Sequence, residues 1–342
     1  MESPLSSLET PITPTSQFFI RSHFATPSID LENWRLSVDG HVEHPLHLTR
    51  AQLLAMEHRR VPALLECAGN SRALVRPRAE GVLWRNGAVG TAEWGGVPLA
   101  HVLELAGARA GAVEVVFEGL DRGHEPGVDG ELGFAMSITM AKARDPDTLL
   151  ADEMNGRPLG ASHGFPLRSV VPDWYGMASV KWLSHIRVVD RPFTGFYRSR
   201  AYAFIPEGDP AETPKTPVTV VRVKSIVTWP REGQQLPVGT HRIRGAAWSG
   251  AGRILRVEVS TGGDHGATDP RSWHLASLSA DAGPHSWVHW EFEWTVERPG
   301  FYVIRARASD ASGNIQPVLS EWNFRGVASN SLHEVPVEVL PA

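Results

Sequence analysis

Cysteine is almost missing from this chain. Among 342 residues only Cys67 carries a thiol, and one thiol excludes an intrachain disulfide. It also excludes zinc sites built on several cysteines, iron–sulfur clusters and c-type haem attachment, each of which needs at least two. Any sulfur chemistry performed by the chain's own thiols rests on Cys67. Lysine is scarce as well: 33 basic residues include only Lys142, Lys181, Lys215 and Lys224. Arginine is abundant throughout, so a single arginine says little about function and a single lysine says more. Net positive charge is absent, the formal balance being −5, and neither nucleic acid nor a membrane surface is an expected partner. No stretch approaches the roughly 18 apolar residues of a membrane-spanning helix. The opening MESPLSSLETPITPTSQFF has no basic n-region, no twin arginine and no apolar core. The chain as written is therefore expected to be soluble and cytoplasmic, or periplasmic if a leader has been removed.

What is present is ordinary globular material, 42% hydrophobic and 21% charged, with enough apolar residues for two cores. Residues 1–16 are rich in Ser, Thr and Pro and are expected to form an extended N-terminal arm. Residues 34–39 (WRLSVD) alternate like a strand ending at Gly40. Thr49 is placed to cap a short helix, and a second helix is expected through Leu99–Leu105, ending at Gly107. The apolar run 113–117 (VEVVF) suits a buried strand. Short strands and helices with many Gly/Pro turns continue to about residue 205, the pattern of a mixed α+β domain spanning 17–205. Residues 206–217, PEGDPAETPKTP, carry four prolines and almost nothing apolar, and read as a linker. Beyond it, from 218 to 342, the character changes. Leu255, Val257 and Val259 alternate with polar residues, as do Trp290, Phe292 and Trp294, and Ile304, Ala306 and Ala308. About seven short strands separated by turn signals predict an Ig-like sandwich.

Cys67 lies in LLECAGNSR (64–72), at the end of an apolar run and before the turn signal Gly69-Asn70. Taken alone it reads as a small buried hydrophobe; beside an arginine it also reads as a stabilised thiolate. Its context is more specific. CAGN followed by an arginine, GVLW (81–84), GTAEWGGVPL (90–99), FEGLD (117–121), DEMNGRPL (152–159), ASHGFPLRSVVP (161–172) and SVKWL (179–183) occur in this order. AAWSGAGRILRVEVSTGGD (246–264) and NIQPVLSEWNFRGVASNSLHEV (314–335) follow. This series resembles the sulfite oxidase family of molybdopterin oxidoreductases, over nearly the whole chain from about residue 18.

The resemblance implies the fold and the chemistry together. It implies an α+β molybdopterin-binding domain followed by an all-β Ig-like dimerisation domain, and hence a homodimer. Cys67 would be the protein ligand of molybdenum, beside the dithiolene sulfurs of molybdopterin and oxo groups; a soft thiolate suits such a centre. Cofactor contacts map to Arg21, His23, Asp121, His163, Arg168, Ser179 and Lys181. The last four suit a phosphate, arginine as a planar fork and lysine as a point charge. Substrate-pocket residues map to Arg21, Arg72, Trp84, Tyr202 and Arg325, the last from the second domain. One departure is Ser71, where several family members have the first of two arginines after CAGN. The implied reaction is oxidation of sulfite to sulfate by oxygen-atom transfer at a Cys-ligated molybdenum–oxo centre. With no haem in this chain, the electrons pass to an external acceptor, a cytochrome or oxygen.

Other readings remain beside this one. Sulfane dehydrogenases and nitrate reductases share the resemblance; Tyr202 and Arg325 favour sulfite over nitrate. A catalytically inactive Ig-like interaction protein would lack the ordered cofactor motifs. A cysteine hydrolase would need a histidine near Cys67 in space. His41, His44 and His47 invite a metal-ligand reading, but Pro45 interrupts the segment and no carboxylate or cysteine joins it.

Overall fold

Thr49 shows how local chemistry places the first elements. Its hydroxyl accepts from the Gln52 N–H at 3.1 Å, and the Gln52 side-chain carbonyl accepts from the Thr49 N–H at 2.8 Å. This reciprocal capping box opens the helix Arg50–Leu54. The helix Leu99–Ala106 stops at Gly107, whose φ of 64° is left-handed, a conformation that glycine adopts without a Cβ clash. Both follow the sequence expectations, and so does the strand Arg35–Gly40. Of the run at 113–117, Val113 precedes the strand Glu114–Gly123 and is 40% exposed, while Val115, Val116 and Phe117 within it are all buried. Side chains on both faces of this strand meet protein, which is why it reads as continuous apolar sequence.

The computed structural model describes residues 1–206, 215–262 and 269–341. Most of its regular structure is strand, with few and short helices. The first half builds two sheets. One runs in the order Leu46–Thr49, Arg35–Gly40, Leu183–Val189, Glu114–Gly123 and Leu132–Thr139; Arg35–Gly40 and Leu183–Val189 are parallel and the other pairs antiparallel. The other runs in the order Arg59–Glu66, Val89–Pro98, Leu149–Met154 and Arg157–Pro158, and Arg168–Val170 also pairs with Leu149–Met154. The second half is a sandwich of a four-stranded and a five-stranded sheet, nine strands among the described residues where about seven are expected. Ile304, Ala306 and Ala308 point into its core together with Trp290 and Trp294. Leu255 does not: it is 52% exposed, because the pairing of Ile254–Ser260 with Gly300–Asp310 slips between Ile254 and Arg256. One extra residue in a strand turns the side chains before it to the other face.

Two boundaries differ from their sequence reading. Residues 1–16 are not a free arm. The Ser3 N–H donates to Gly87 O and the Thr13 N–H to Thr91 O, both at 2.8 Å, while Leu8 is fully buried. From the sandwich side, the Trp287 indole N–H donates to Thr10 O at 3.1 Å and His289 Nε2 lies 2.8 Å from Leu8 O. The Ser/Thr/Pro composition supplies side-chain and backbone partners that a groove between two units can satisfy. Of the expected linker, residues 207–214 lie outside the described residues. Its end, Thr216–Pro217, pairs with Ala203–Phe204. No helix among the described residues is long and apolar enough to cross a membrane.

The two halves also share a core. Val218, Val221, Trp248, Trp287 and Val327 pack into the same apolar cluster as Leu36, Leu64 and Tyr175. At its polar centre Lys224 and Glu66, both at most 2% exposed, form an ion pair of 3.0 Å across the boundary. Removing one partner of such a pair leaves a buried, uncompensated charge, which costs about 3–5 kcal/mol. Lys224→Met is therefore expected to lower the urea midpoint sharply. The double variant Glu66→Gln/Lys224→Met should recover most of that loss, as an equilibrium denaturation series can measure.

Candidate active site

Cys67 is delivered by the strand Arg59–Glu66 and begins a tight turn. Its N–H donates to Ala88 O at 2.9 Å and its carbonyl accepts from Asn70 N–H at 2.8 Å. The Asn70 amide donates to Glu66 Oε1 at 2.9 Å and accepts from Ala88 N–H at 3.0 Å. Glu66 in turn accepts from Trp248 Nε1 at 2.9 Å. A closed set of bonds thus fixes the backbone on both sides of the thiol. Cys67 packs with Trp84, Ala88 and Phe19. Burial pushes its pKa above the usual thiol range, against the backbone N–H of Gly69 and the charges of Arg72 and Arg21, which pull it down.

Cys67 lines a cavity of about 710 Å³. Of the residues singled out in the sequence, Arg21, His23, Asp121, His163, Arg168, Ser179, Lys181 and Tyr202 line the same cavity. They converge from separate elements. Asp121 comes from the strand Glu114–Gly123, His163 from the turn Ala161–His163, Arg168 from the start of a strand and Tyr202 from the end of a π-helical turn.

Cationic groups crowd one region of this cavity. Arg168 is 5% exposed and donates to the carbonyls of His163 at 2.9 Å and Ser179 at 3.0 Å. Its guanidinium also lies 4.8 Å over the Trp94 ring. Lys181 Nζ donates to Ser22 Oγ at 2.5 Å and Ser162 O at 2.9 Å. Arg21 donates to Ser22 O. None of the three forms a salt bridge among the described residues. Burial pulls Arg168 down to about 9 and, with Arg168 and Arg21 nearby, Lys181 down to about 7. Burial, with the charges of Arg168 and Lys181, lowers His163 to about 4, so it is neutral at pH 7. Asp121, pushed up to about 6 by burial, leaves Oδ1 without a hydrogen-bond partner. Cations, one buried and two half-buried, whose partners are carbonyls, a hydroxyl, a histidine ring nitrogen and π faces form a site for an anion. The chemistry of this donor set fits a phosphate, and the thiol in the same cavity fits a soft metal ion.

Three expected residues lie outside the cavity lining. Trp84 sits against Cys67, its indole N–H buried without a partner. Arg72 packs beneath the turn: a Cβ on Gly69 would lie 2.6 Å from its guanidinium, and one on Gly326 would lie 3.1 Å from its Cγ. Only glycine lets the arginine approach this closely. Arg72 donates from Nε to Arg325 O at 2.8 Å and from Nη1 to Val82 O at 2.9 Å. Arg325 does not point into the cavity. Its Nη1 is 4.0 Å from Glu80, an exposed pair, and its Nε is buried without a partner. The second half thus reaches the site through a backbone carbonyl instead of the expected guanidinium. Sequence reading also missed Glu66, Lys224, Trp248, Ser22, Ser162 and Glu125. Lys224 alone carried a signal, the scarcity of lysine; its partner Glu66 lies 158 positions away.

Two family models match the chain, an oxidoreductase molybdopterin binding domain over residues 23–197 and a Mo-co oxidoreductase dimerisation domain over residues 215–340. Among curated relatives, the sulfite oxidase of Gallus gallus is 38% identical, covering 94% of this chain and 72% of its own. The sulfite oxidase of Arabidopsis thaliana is 35% identical over 98% of this chain and 90% of its own. Among solved structures, the sulfane dehydrogenase SoxCD from Paracoccus pantotrophus superposes with a TM-score of 0.81 at 27% identity, covering 97% of this chain and 82% of that one.

Lys181 supplies a test of the anion site. Its folded pKa of about 7 lies below the ordinary lysine value of 10.5. Between these values the unfolded chain binds more protons, so the cofactor-free protein gains stability as pH rises and loses it as pH falls. Lys181→Met removes this penalty. The variant is expected to melt at or above the wild-type temperature without cofactor at pH 7, yet to retain less molybdenum after expression with cofactor supply. Differential scanning fluorimetry and metal analysis read the two effects.

Proposed function

The chain belongs to the sulfite oxidase family of molybdopterin oxidoreductases, and we propose that it oxidises sulfite to sulfate and passes the electrons to an external acceptor. One observation carries the reading. Cys67, Arg21, Arg72 and Tyr202 are gathered closely enough that each arginine acts electrostatically on both the thiol and the phenol. A small dianion binds best where fixed cations converge in a site shielded from water.

His163, Arg168, Ser179 and Lys181 hold the phosphate end of molybdopterin, with Arg21, His23 and Asp121 along its length, and Cys67 is the metal's protein ligand. When bound, the cofactor supplies oxygen-atom transfer and the storage of two electrons. The chain's own residues do the rest. Arg21, in the cavity lining, draws in sulfite and stabilises negative charge at the reacting centre; Arg72 adds its charge from beneath the turn, and Arg325 from outside the lining. Trp84 packs against Cys67 and helps fix the thiol's position. Ligation to the metal removes the proton that burial otherwise keeps on Cys67. The dimerisation domain supports a homodimer, and two-fold dimers are the commonest assemblies.

A second reading, a sulfane sulfur substrate, draws support from the likeness to SoxCD over nearly the whole chain. The relatives at 35% and 38% identity are sulfite oxidases, which favours sulfite. Purified holoenzyme is expected to reduce ferricyanide with sulfite and to turn over a sulfane donor far more slowly; the reverse preference would replace the first reading with the second. Cys67→Ser should abolish sulfite oxidation while the protein still folds, as circular dichroism can check. Wild-type turnover in that variant would remove Cys67 from the metal site.

A further inference from the structure

His23 joins the cavity to a second polar cluster that the roles above do not use. Its Nε2 lies 2.7 Å from Tyr202 Oη, and its Nδ1 lies 3.0 Å from Glu125 Oε1. The Tyr197 hydroxyl donates to the same carboxylate oxygen at 2.8 Å. Nδ1 also lies 3.4 Å from Arg21 Nη2, which only donates; the shorter contact, to the Glu125 carboxylate, places the His23 proton on Nδ1 and leaves Nε2 to accept from Tyr202. The ring is held in this setting. Phe134 stacks on it at 5.1 Å, and Tyr197 tilts against it at 4.6 Å. Tyr202 is 8% exposed and lines the cavity; the His23 and Glu125 side chains are 14% and 21% exposed. The fold brings His23 and Glu125 together from 102 positions apart.

We propose that Tyr202, His23 and Glu125 form an acid–base unit in which His23 takes up, through the Tyr202 hydroxyl, a proton released at the substrate, while Glu125 positions the ring. The proposal rests on the sulfite reading. Converting sulfite to sulfate consumes one water and releases two protons and two electrons, the electrons going to an external one-electron acceptor. One of those protons passes from the water to Tyr202 Oη as the Tyr202 proton passes to His23 Nε2. The imidazolium so formed keeps its Nδ1 proton and is stabilised by Glu125, which is not itself protonated, as in a serine–histidine–aspartate triad. After the product leaves, the proton returns through Tyr202 to water in the opened cavity. His23 and Tyr202 end as they began.

The electrostatics suit a base that is empty at rest. Burial, followed by the charge of Arg21, holds His23 down at about 4, and Lys181 adds to this; only Glu125 raises it. Tyr197 and Tyr202 are themselves held above the ordinary phenol range by burial, so both are neutral: Tyr202 faces His23 as a donor, and Tyr197 donates to Glu125. Phe24 and Phe134 add no charge. His23 is therefore neutral at pH 7 and a weak base at rest, so its uptake of a proton depends on the charge of Glu125. Without Glu125 it becomes a weaker base.

The test compares holoenzyme of wild type, Glu125→Gln and Glu125→Leu. The 15N shifts of labelled His23 report which nitrogen carries the proton, and steady-state kinetics with sulfite and ferricyanide report the consequence. Wild type is expected to show the Nδ1–H form. Glu125→Gln keeps an acceptor without the charge and should hold that form; Glu125→Leu removes both and should shift it toward Nε2–H. With molybdenum content and sulfite KM preserved, kcat should fall about 10- to 100-fold, more for Leu than for Gln, the low end of what a positioned proton acceptor contributes. A wild-type His23 protonated at Nε2, or a Glu125→Leu enzyme with wild-type kcat, overturns the proposal. If sulfite is not the substrate, wild type itself fails with it, while the nitrogen shifts still decide whether the unit exists.

Discussion

Glu66 occupies the position before Cys67 and is 1% exposed. A carboxylate so deeply buried persists only if its lone pairs are met by donors and its charge by a cation. Lys224 and Trp248 supply this from the second half, and Asn70 from the turn that Cys67 begins. The requirement runs in both directions. Lys224, 2% exposed, needs Glu66 as much as Glu66 needs it, so the two halves cannot separate without stranding two charges. Asn70 passes the constraint on to Ala88, whose carbonyl accepts from Cys67 N–H. The position of the thiol is therefore set by the same bonds that join the two halves.

Around this fixed point the site carries charge that the folded chain does not neutralise by itself. Arg168 is buried and Lys181 half-buried, neither with a carboxylate in bonding range among the described residues, and burial lowers the pKa of both. His163 and His23 are kept neutral by the same burial. A protein that only had to fold would gain stability from apolar residues at these positions. Their presence reflects an anionic partner, and binding that partner favours the charged form of Lys181. Stability is given up at the site where function requires it. Rigid walls make this arrangement possible: Arg72 is clasped between glycines, and its Nε reaches a carbonyl of the second half.

The helix ending at Gly107, the capping box at Thr49 and the apolar strand around Val116 were legible in the sequence because their causes are local. A cap, a left-handed glycine and a doubly buried run each leave a mark within a few residues. The motif order from CAGN to NFRG was legible for a different reason, since family resemblance preserves which residues meet even when their partners are distant. The N-terminal segment was misread because its composition is that of an unstructured arm, while its order comes from Trp287 and His289, far along the chain. Leu255 was misplaced because alternation assumes an unbroken strand, and a register slip is invisible to it.

Residue identity and order were enough to settle the chemistry available to this protein. A lone cysteine confined thiol chemistry to Cys67, the ordered motifs named the cofactor family, and scarce lysine drew attention to Lys181. These conclusions depend on which residues exist and in what order, and both are properties of the chain. What each group can do was settled by folding. It made Cys67 a buried thiol braced from two halves, left Lys181 and Arg168 without ion-pair partners among the described residues, and set His23 between Tyr202 and Glu125. Charge state, tautomer and direction depend on burial and on partners brought together across the fold, and no reading of neighbours in sequence contains them.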